Sequence, residues 1–506
     1  MSVLDPGCVK TDESGRILSL ADGGDRMARF VEGADRSQVT FLPECLDDWV
    51  GDDNPVHVVD AFVEALDLGG LGFDRIAPKA TGRPSYHPSI LLRLYIYGYL
   101  NRVQSSRRLE REAGRNVEVM WLLGRLAPDH KTIADFRKDN GAAIRKVCAR
   151  FVALCRTMGL LQGAKVAVDG SKFKAVNNRD RNFTQAKMAR RMAQIEESVD
   201  RYLRQLDSAD RQEPSDAILT KTARLKEKIE RLKQEMARLQ GLDAMMRETA
   251  DQQISLTDPD ARSMATSGRG SGVVGYNMQA AVDAEHHLII AHDVINIGND
   301  RAQLARMSKL AKETLEVDTL DVVADRGYFD GEEIKACAEA GITVTLPKPQ
   351  TSGSKIAGRF VKQDFAYLAG QDAYRCPAGQ LLPYHFTSVE HGMELRRYWS
   401  TASCRACQIK SQCTTGKERR ITRWEHEHLV EDVQRRLDEN PDAMRQRRET
   451  VEHPFGTIKA RMGASHFLMK TLPRVAAEMA LHLLAYNLTR VMNIMGVQPL
   501  LAAMRA

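Results

Sequence analysis

Two short apolar runs, each closed by an aspartate, constrain this chain most. Lys165-Val166-Ala167-Val168-Asp169 and Leu320-Asp321-Val322-Val323-Ala324-Asp325 are rich in valine and too short for buried helices, so they read as interior strands. Helical spacing over Asp300–Thr314 precedes the second run, and Gly331–Glu339, begun by Asp330 as an N-cap, follows it. Gly341–Leu346 reads as a further strand, and Val273–Ala284 with Leu288–Asn296 as a hairpin. A strand, a hairpin and then alternating helix and strand predict an α/β fold, a mixed sheet with helices on its faces. Such sheets place their sites just outside the C-terminal ends of strands, where both aspartates are expected.

Other periodicities flank this core. From Pro55 to Leu160 the apolar spacing is helical, with one helix through Val59, Phe62, Val63 and Leu66 and a second over Ile90–Leu100, begun by His87-Pro88-Ser89. A third follows Ser105 and a fourth opens near Asp129. Arg107, Arg108 and Arg111 give this all-helical module a basic edge, which suits DNA binding by a helix-turn-helix-like bundle or a plain packing module. Met188, Met192, Ile195, Val199, Tyr202 and Leu206 recur at heptad spacing, which resumes from Ile218 to Leu239 beyond Pro214. That pattern predicts an antiparallel helical hairpin. The expected organisation is a loose acidic leader over 1–40, a helical domain over 41–160 and an α/β core over 161–350 and 425–506. The core carries two insertions, a helical hairpin at 182–252 and a cysteine-rich segment at 351–424.

Charge sharpens the choice of partner. Residues 1–75 carry 16 acidic and 6 basic side chains, while the formal net charge of the whole chain is +6. The remaining residues are therefore basic, a setting for a polyanion-binding protein. No run approaches 18 apolar residues, so no membrane span is expected. The start, MSVLDPGCVK, lacks the basic and apolar regions of a signal peptide. Nine cysteines, four of them late in the chain, point to a reducing cytoplasm rather than a secreted disulfide framework.

Cys376, the pair Cys404-Arg405-Ala406-Cys407, and Cys413 make up a set of four thiols that suits tetrahedral Zn²⁺ in a zinc-ribbon-like insertion. His385 and His391 are further donors nearby. The other five cysteines read as small hydrophobes or incidental thiols. Asp169 and Asp325 could converge as hard oxygen ligands for two Mg²⁺ ions, a site suited to in-line displacement at phosphorus once a third carboxylate joins them. Asp258, Asp260, Asp283 and Asp300 read as turn and cap residues.

The third acid lies in Arg445-Gln446-Arg447-Arg448-Glu449-Thr450-Val451-Glu452-His453-Pro454-Phe455-Gly456-Thr457-Ile458-Lys459. Arg448, Glu452 and Lys459 resemble the Arg-Glu-Lys signature of DDE transposases from bacterial insertion sequences. Asp169-Gly170-Ser171-Lys172 and Ala324-Asp325-Arg326-Gly327-Tyr328 resemble the first and second Asp motifs of that family, and Val274-Gly275-Tyr276-Asn277 the strand between them. The N-terminal module, with Thr132-Ile133-Ala134-Asp135-Phe136-Arg137, is similar to the InsH-type domain. The resemblance implies an RNase H-like fold in which Asp169, Asp325 and Glu452 are catalytic and hold Mg²⁺ or Mn²⁺. It also implies that Arg448 and Lys459 lie near DNA. Arg445 stands where many members have tyrosine, and Glu449 competes with Glu452 as the third acid. Pro454 predicts a kink or restart of the helix at His453. The resemblance further implies cleavage and strand transfer at transposon ends bound to target DNA, with a homodimer in the synaptic complex. Two other readings stay open: a metal-dependent nuclease without strand transfer, and a non-catalytic DNA-binding regulator derived from a transposase.

Overall fold

The computed structural model describes residues 45–77, 85–177, 181–211, 216–249, 251–265, 272–349, 353–390 and 392–505. The leader over 1–40, Cys8, Pro214 and His391 lie outside them. Two compact units divide the chain, Met1–Gly51 and Asp52–Ala506. In the first, the described residues form a 3₁₀ turn over Leu46–Trp49, and the Cys45 N–H donates to Asp48 Oδ2 at 2.8 Å.

The second unit opens with helices α1 (Pro55–Glu64), α2 (Leu68–Leu71), α3 (Pro88–Leu100), α4 (Ser106–Ala113), α5 (Val117–Leu123), α6 (His130–Asp139) and α7 (Gly141–Thr157). Start signals explain two of their boundaries. The His87 side chain accepts from the Ser89 N–H at the head of α3, and Asp129 accepts from Lys131 and Thr132 at the head of α6. Strands β1 (Lys165–Lys174) and β2 (Asn182–Thr184) follow, then the long helices α8 (Gln185–Asp210) and α9 (Asp216–Arg247). The heptad residues Met188, Ile195 and Leu239 pack with Phe183 and Met246 between those two helices.

Next come β3 (Gln253–Ser255), β4 (Arg262–Ala265), β5 (Gly272–Asp283), β6 (Ile289–Ile295), α10 (Leu304–Leu315), β7 (Leu320–Ala324), α11 (Gly331–Glu339) and β8 (Ile342–Thr345). The main sheet has the order β4-β5-β1-β7-β8, with β6 also on β5. β4 and β6 take successive halves of one edge of β5. β1 is antiparallel to β5 and parallel to β7, and β7 is parallel to β8.

β1 does not end at Asp169 as the apolar run suggested. Gly170 to Lys174, polar but for the buried Phe173, stay in the strand because β5 pairs with each of them, from Gln279 opposite Gly170 to Gly275 opposite Lys174. On its other side the β7 ladder does stop, at Val168 with Ala324.

The cysteine-rich segment holds α12 (Gly353–Ile356), β9 (Ala366–Leu368), β10 (Ala373–Arg375), β11 (Leu381–Glu390), β12 (Met393–Tyr398), α13 (Thr401–Arg405) and β13 (Ile421–Trp424). Its strands form a second, antiparallel sheet in the order β13-β12-β11-β10-β9 over Phe365, Tyr374, Leu382, Tyr398 and Ile421. The chain closes with α14 (Glu427–Glu439), α15 (Ala443–Gly456), a π turn over Thr457–Arg461, α16 (Leu472–Met495) and α17 (Val497–Arg505). α15 runs through Pro454 without the expected restart at His453, and a wider π turn follows it. The buried proline lacks one backbone donor and so leaves the Thr450 carbonyl without its helical partner. Among the described residues no helix is long and apolar enough to cross a membrane.

Gly275 sits where β4, β5 and β1 crowd together, and a Cβ there would run into the Phe173 carbonyl oxygen. Gly275→Ala is expected to cost about 1–3 kcal/mol of stability, the usual range for overpacking. Denaturant unfolding checks this; an unchanged midpoint would contradict the crowding.

Candidate active site

The β1–β7 register builds the site. One residue beyond its last pair, Asp169 and Asp325 stand side by side on neighbouring strands, ~4.8 Å apart at the backbone and on one face. Asp325 ends the ladder by turning back on its own chain. Its Oδ1 accepts from the Gly327 N–H at 2.7 Å and caps the 3₁₀ turn Arg326–Tyr328.

α15 lies against β1 and β7 and presents Arg447 to the pair. Arg447 Nη2 is 2.5 Å from Asp169 Oδ1 and 4.0 Å from Asp325 Oδ2. Burial pushes the Asp169 carboxyl up to about 6, against the opposing pull of Arg447 and the Gly170 N–H, while Asp325 and Asp300 add to the rise. Below pH 6 Asp169 is therefore mostly neutral, and above it mostly charged. Sequence reasoning missed Arg447, which stands just before Arg448, the arginine that the family pattern singles out. The available signal was helical spacing, because Arg447, Thr450, Val451, Pro454 and Ile458 share one inward stripe.

Lys459 approaches from the π turn. Its Nζ donates to Ser171 Oγ at 2.6 Å and lies 4.6 Å from the centre of the Phe173 ring. Burial lowers the Lys459 pKa and Asp169 opposes that shift. Arg448 and Glu452 are exposed, and their spacing to Lys459, four and then seven residues, puts all three on one stripe. Arg445 is exposed and pairs with Asp442 at 3.3 Å. Glu449 turns elsewhere: it borders a hollow with Lys165, Asp283 and His287, and its charge pulls His287 upward against the burial that lowers it.

Arg107, Arg108 and Arg111 are exposed on α4. Gln104, just before that helix, donates through Nε2 to the Met462 carbonyl at 3.0 Å, so α4 begins beside the end of the π turn.

Of the four acids read as turn or cap residues, three do such work. Asp258 accepts from Tyr276 Oη and the Thr471 N–H, Asp260 from the Leu472 N–H, and Asp283 from the Glu285 N–H. Asp300 is different. Its Oδ1 accepts from Asn277 Nδ2 and Gln279 Nε2, each at 2.7 Å, in the space behind β1 that the missing Cβ of Gly170 leaves free. Tyr328 Oη donates to Gln279 Oε1, joining the turn after Asp325 to the same network.

Cys376, Cys404, Cys407 and Cys413 all line one small cavity of about 20 Å³. Burial pushes the Cys413 thiol up, Arg419 opposes, and the other three thiols add to the rise. Cys148, Cys155 and Cys337 are buried and Cys45 is exposed. Among the described residues no three His, Cys, Asp or Glu side chains already stand close enough to hold a metal ion. Asp169 and Asp325 share Arg447 and the four thiols share one cavity, but among the described residues neither set forms a group of three donors poised for a metal ion.

Residues 44–139 match the family described as a transposase domain (DUF772), and residues 241–488 match the transposase DDE domain. The chain belongs to the DDE transposases. The second match includes Asp325 and Glu452, whereas Asp169 precedes it on the far side of the α8–α9 hairpin. No curated protein matches this transposase by sequence. The cryo-EM structure of the piggyBac transposase synaptic complex with hairpin DNA is similar to it at a TM-score of 0.33 and 10% identity, over 90% of this chain and 79% of that one.

Asp300→Ala strands the buried Gln279 amide, and an unsatisfied buried donor costs about 1–3 kcal/mol. The transposase should lose that much stability in urea while Asp300→Asn loses less. Equal stability of Asp300→Ala and the parent would refute the network.

Proposed function

We propose that this DNA transposase binds the terminal inverted repeats of its insertion sequence, hydrolyses a phosphodiester there and joins the freed 3′-OH to target DNA. One observation carries the reading: Asp169 and Asp325 meet at the end of a parallel ladder with a cationic group set against both. The strand order, a central β1 between antiparallel β5 and parallel β7, supports an RNase H-like core.

The donor chemistry fits Mg²⁺ or Mn²⁺. Two hard carboxylates face one space, and the single charge of the Arg447 guanidinium offsets only part of theirs, leaving a site that still calls for a cation. Asp169, Asp325 and Glu452 would hold two such ions. Bound there, the ions supply charge stabilisation at phosphorus and activation of the attacking oxygen. The protein's own share is positioning and screening: Asp169 must lose its proton first, and Lys459 and Arg448 would meet phosphate.

The Arg-Glu-Lys spacing of the family favours Glu452 over Glu449, which borders the hollow with Lys165 and His287. Lys165 Nζ bonds Gln446 Oε1 and Lys459 bonds Ser171, so α15 and β1 run together. DNA would lie across α4, which carries Arg107, Arg108 and Arg111, and the end of α15, which Gln104 joins through the Met462 carbonyl. A synaptic complex holds two ends, so a homodimer is part of the proposal.

With Mg²⁺ and end-bearing DNA, Asp169→Asn and Glu452→Gln should abolish cleavage and joining while binding survives, and Glu449→Gln should retain both. Undiminished cleavage by Asp169→Asn would overturn the assignment. Cleavage without joining by the parent protein would favour a plain nuclease.

We also propose structural Zn²⁺ at Cys376, Cys404, Cys407 and Cys413. The support is that the four thiols line one small cavity and that the other three all act on Cys413. Metal analysis should find about one equivalent, lost in Cys404→Ser; zinc content unaffected by that substitution would rule out this ligand set.

A further inference from the structure

We propose that Arg447 is a positioning residue of the acid pair, a resident cation that holds Asp169 and Asp325 together and yields its place when a divalent ion binds. The proposal rests on the reading of those acids as metal ligands. Two carboxylates on adjacent strands repel when both are charged, and repulsion is strongest where water is excluded. Arg447 is only 12% exposed and reaches both, at 2.5 Å and 4.0 Å. It is the largest favourable influence on the Asp169 carboxylate.

Other buried arginines are tied to the fold. Arg423 pairs with Glu431 and donates to Tyr374 Oη at 3.2 Å, and Arg137 donates to Tyr99 Oη at 2.8 Å. The Arg447 guanidinium lies beside both acids, while its buried Nε and Nη2 make no directed hydrogen bond, so charge rather than bond geometry holds it there. A second place for it exists. Arg447 also borders a hollow of about 420 Å³ lined by Glu449 and Glu285 beside Lys165 and His287, with the buried Asp283 already bonded to backbone, so Glu449 and Glu285 are the acids that receive the guanidinium once it withdraws. The arginine thus has an acidic station on each side of its helix position, one shared with the catalytic pair and one apart from it.

This placement makes a charge-competition prediction. A metal ion entering between Asp169 and Asp325 must displace a bound cation, so Arg447 weakens metal binding while protecting the metal-free fold. In R447Q, Mn²⁺ measured by calorimetry should bind about tenfold more tightly, equivalent to about 1.4 kcal/mol. R447K, which keeps a charge, should return the affinity toward that of the parent. Without metal, R447Q should melt at a lower temperature than the parent, and Mn²⁺ should restore it. Unchanged or weaker Mn²⁺ binding in R447Q would overturn the proposal, because a purely structural arginine or one that stays beside the metal would give that result. A crystal structure of the parent with Mg²⁺ in which Arg447 still bridges both acids would do the same, and it does not depend on any variant folding. Asp169→Asn separates the two readings. If the parent's Mn²⁺ binding is indifferent to that substitution, the metal-site reading itself fails; if Asp169→Asn abolishes it and R447Q leaves it unchanged, only the role of Arg447 falls.

Discussion

Burial of α16 is the constraint on which the rest of the second unit depends. Leu472–Met495 is apolar around most of its circumference, and such a helix has no stable place except inside. It packs against α3 and α7 on one side and β6 on the other, so the N-terminal helices and the main sheet share one core. Polar contacts along it fix the register. Asn487 bonds both ways with the Ile289 backbone, Cys148 Sγ donates to the Ala480 carbonyl at 3.0 Å, and Glu478 receives the Leu468 and Met469 N–H groups. Each of these groups would cost free energy if left unpaired in the interior. The arginines of α4 are consequently held relative to Asp169 by a packed core rather than by a linker.

Within that frame the acids are exposed to opposing demands. A carboxylate near the middle of a six-stranded sheet is poorly solvated, which is why burial is the largest influence on Asp169. Yet the same burial makes the site useful, since charges act more strongly on one another where water is scarce. The chain reconciles the two by ending β7 one residue before Asp325, which opens the face to α15, and by supplying a cation from that helix. Asp325 remains more exposed, with 45% of its side chain accessible against 21% for Asp169. The two acids are therefore unequal, one set by the fold and one by a capped turn.

The parts of this arrangement that were legible in the sequence are those with local signals. The valine runs marked β1 and β7, Asp330 marked the start of α11, and heptad spacing marked α8 and α9. What was not legible depended on partners distant in sequence. Gly170-Ser171-Lys172 has no strand pattern of its own and is extended only because β5 pairs with it. Asp300 looks like a turn residue until Gln279 and Asn277 are placed beside it. Pro454 signals a break by its local chemistry, but packing of Thr450, Val451, Pro454 and Ile458 against the sheet keeps the helix continuous. The second sheet was unreadable for a different reason: β9 and β10 have three residues each, and much of β11 is exposed on both faces, so hydrophobic alternation is lost.

The position of the helical hairpin explains how the first acid comes to lie outside the matched DDE region without leaving the site. β2 pairs with β3, Asn182 opposite Ser255, at the foot of α8 and α9. The chain therefore leaves the core after β1 and returns before β4 through one narrow paired base. Above that base the hairpin satisfies itself, with its own apolar seam and an Arg191–Glu235 ion pair across it at 2.8 Å. Because loop-closure entropy grows only slowly with length, a self-packed excursion closed at its base costs the sheet little. The β1–β5 ladder, from Val166 with Asp283 to Lys174 with Gly275, is uninterrupted by it. Asp169 is thus separated from its neighbours in sequence by the hairpin and held among them in space by that ladder, so the geometry of the acids is insulated from whatever length or sequence the hairpin takes.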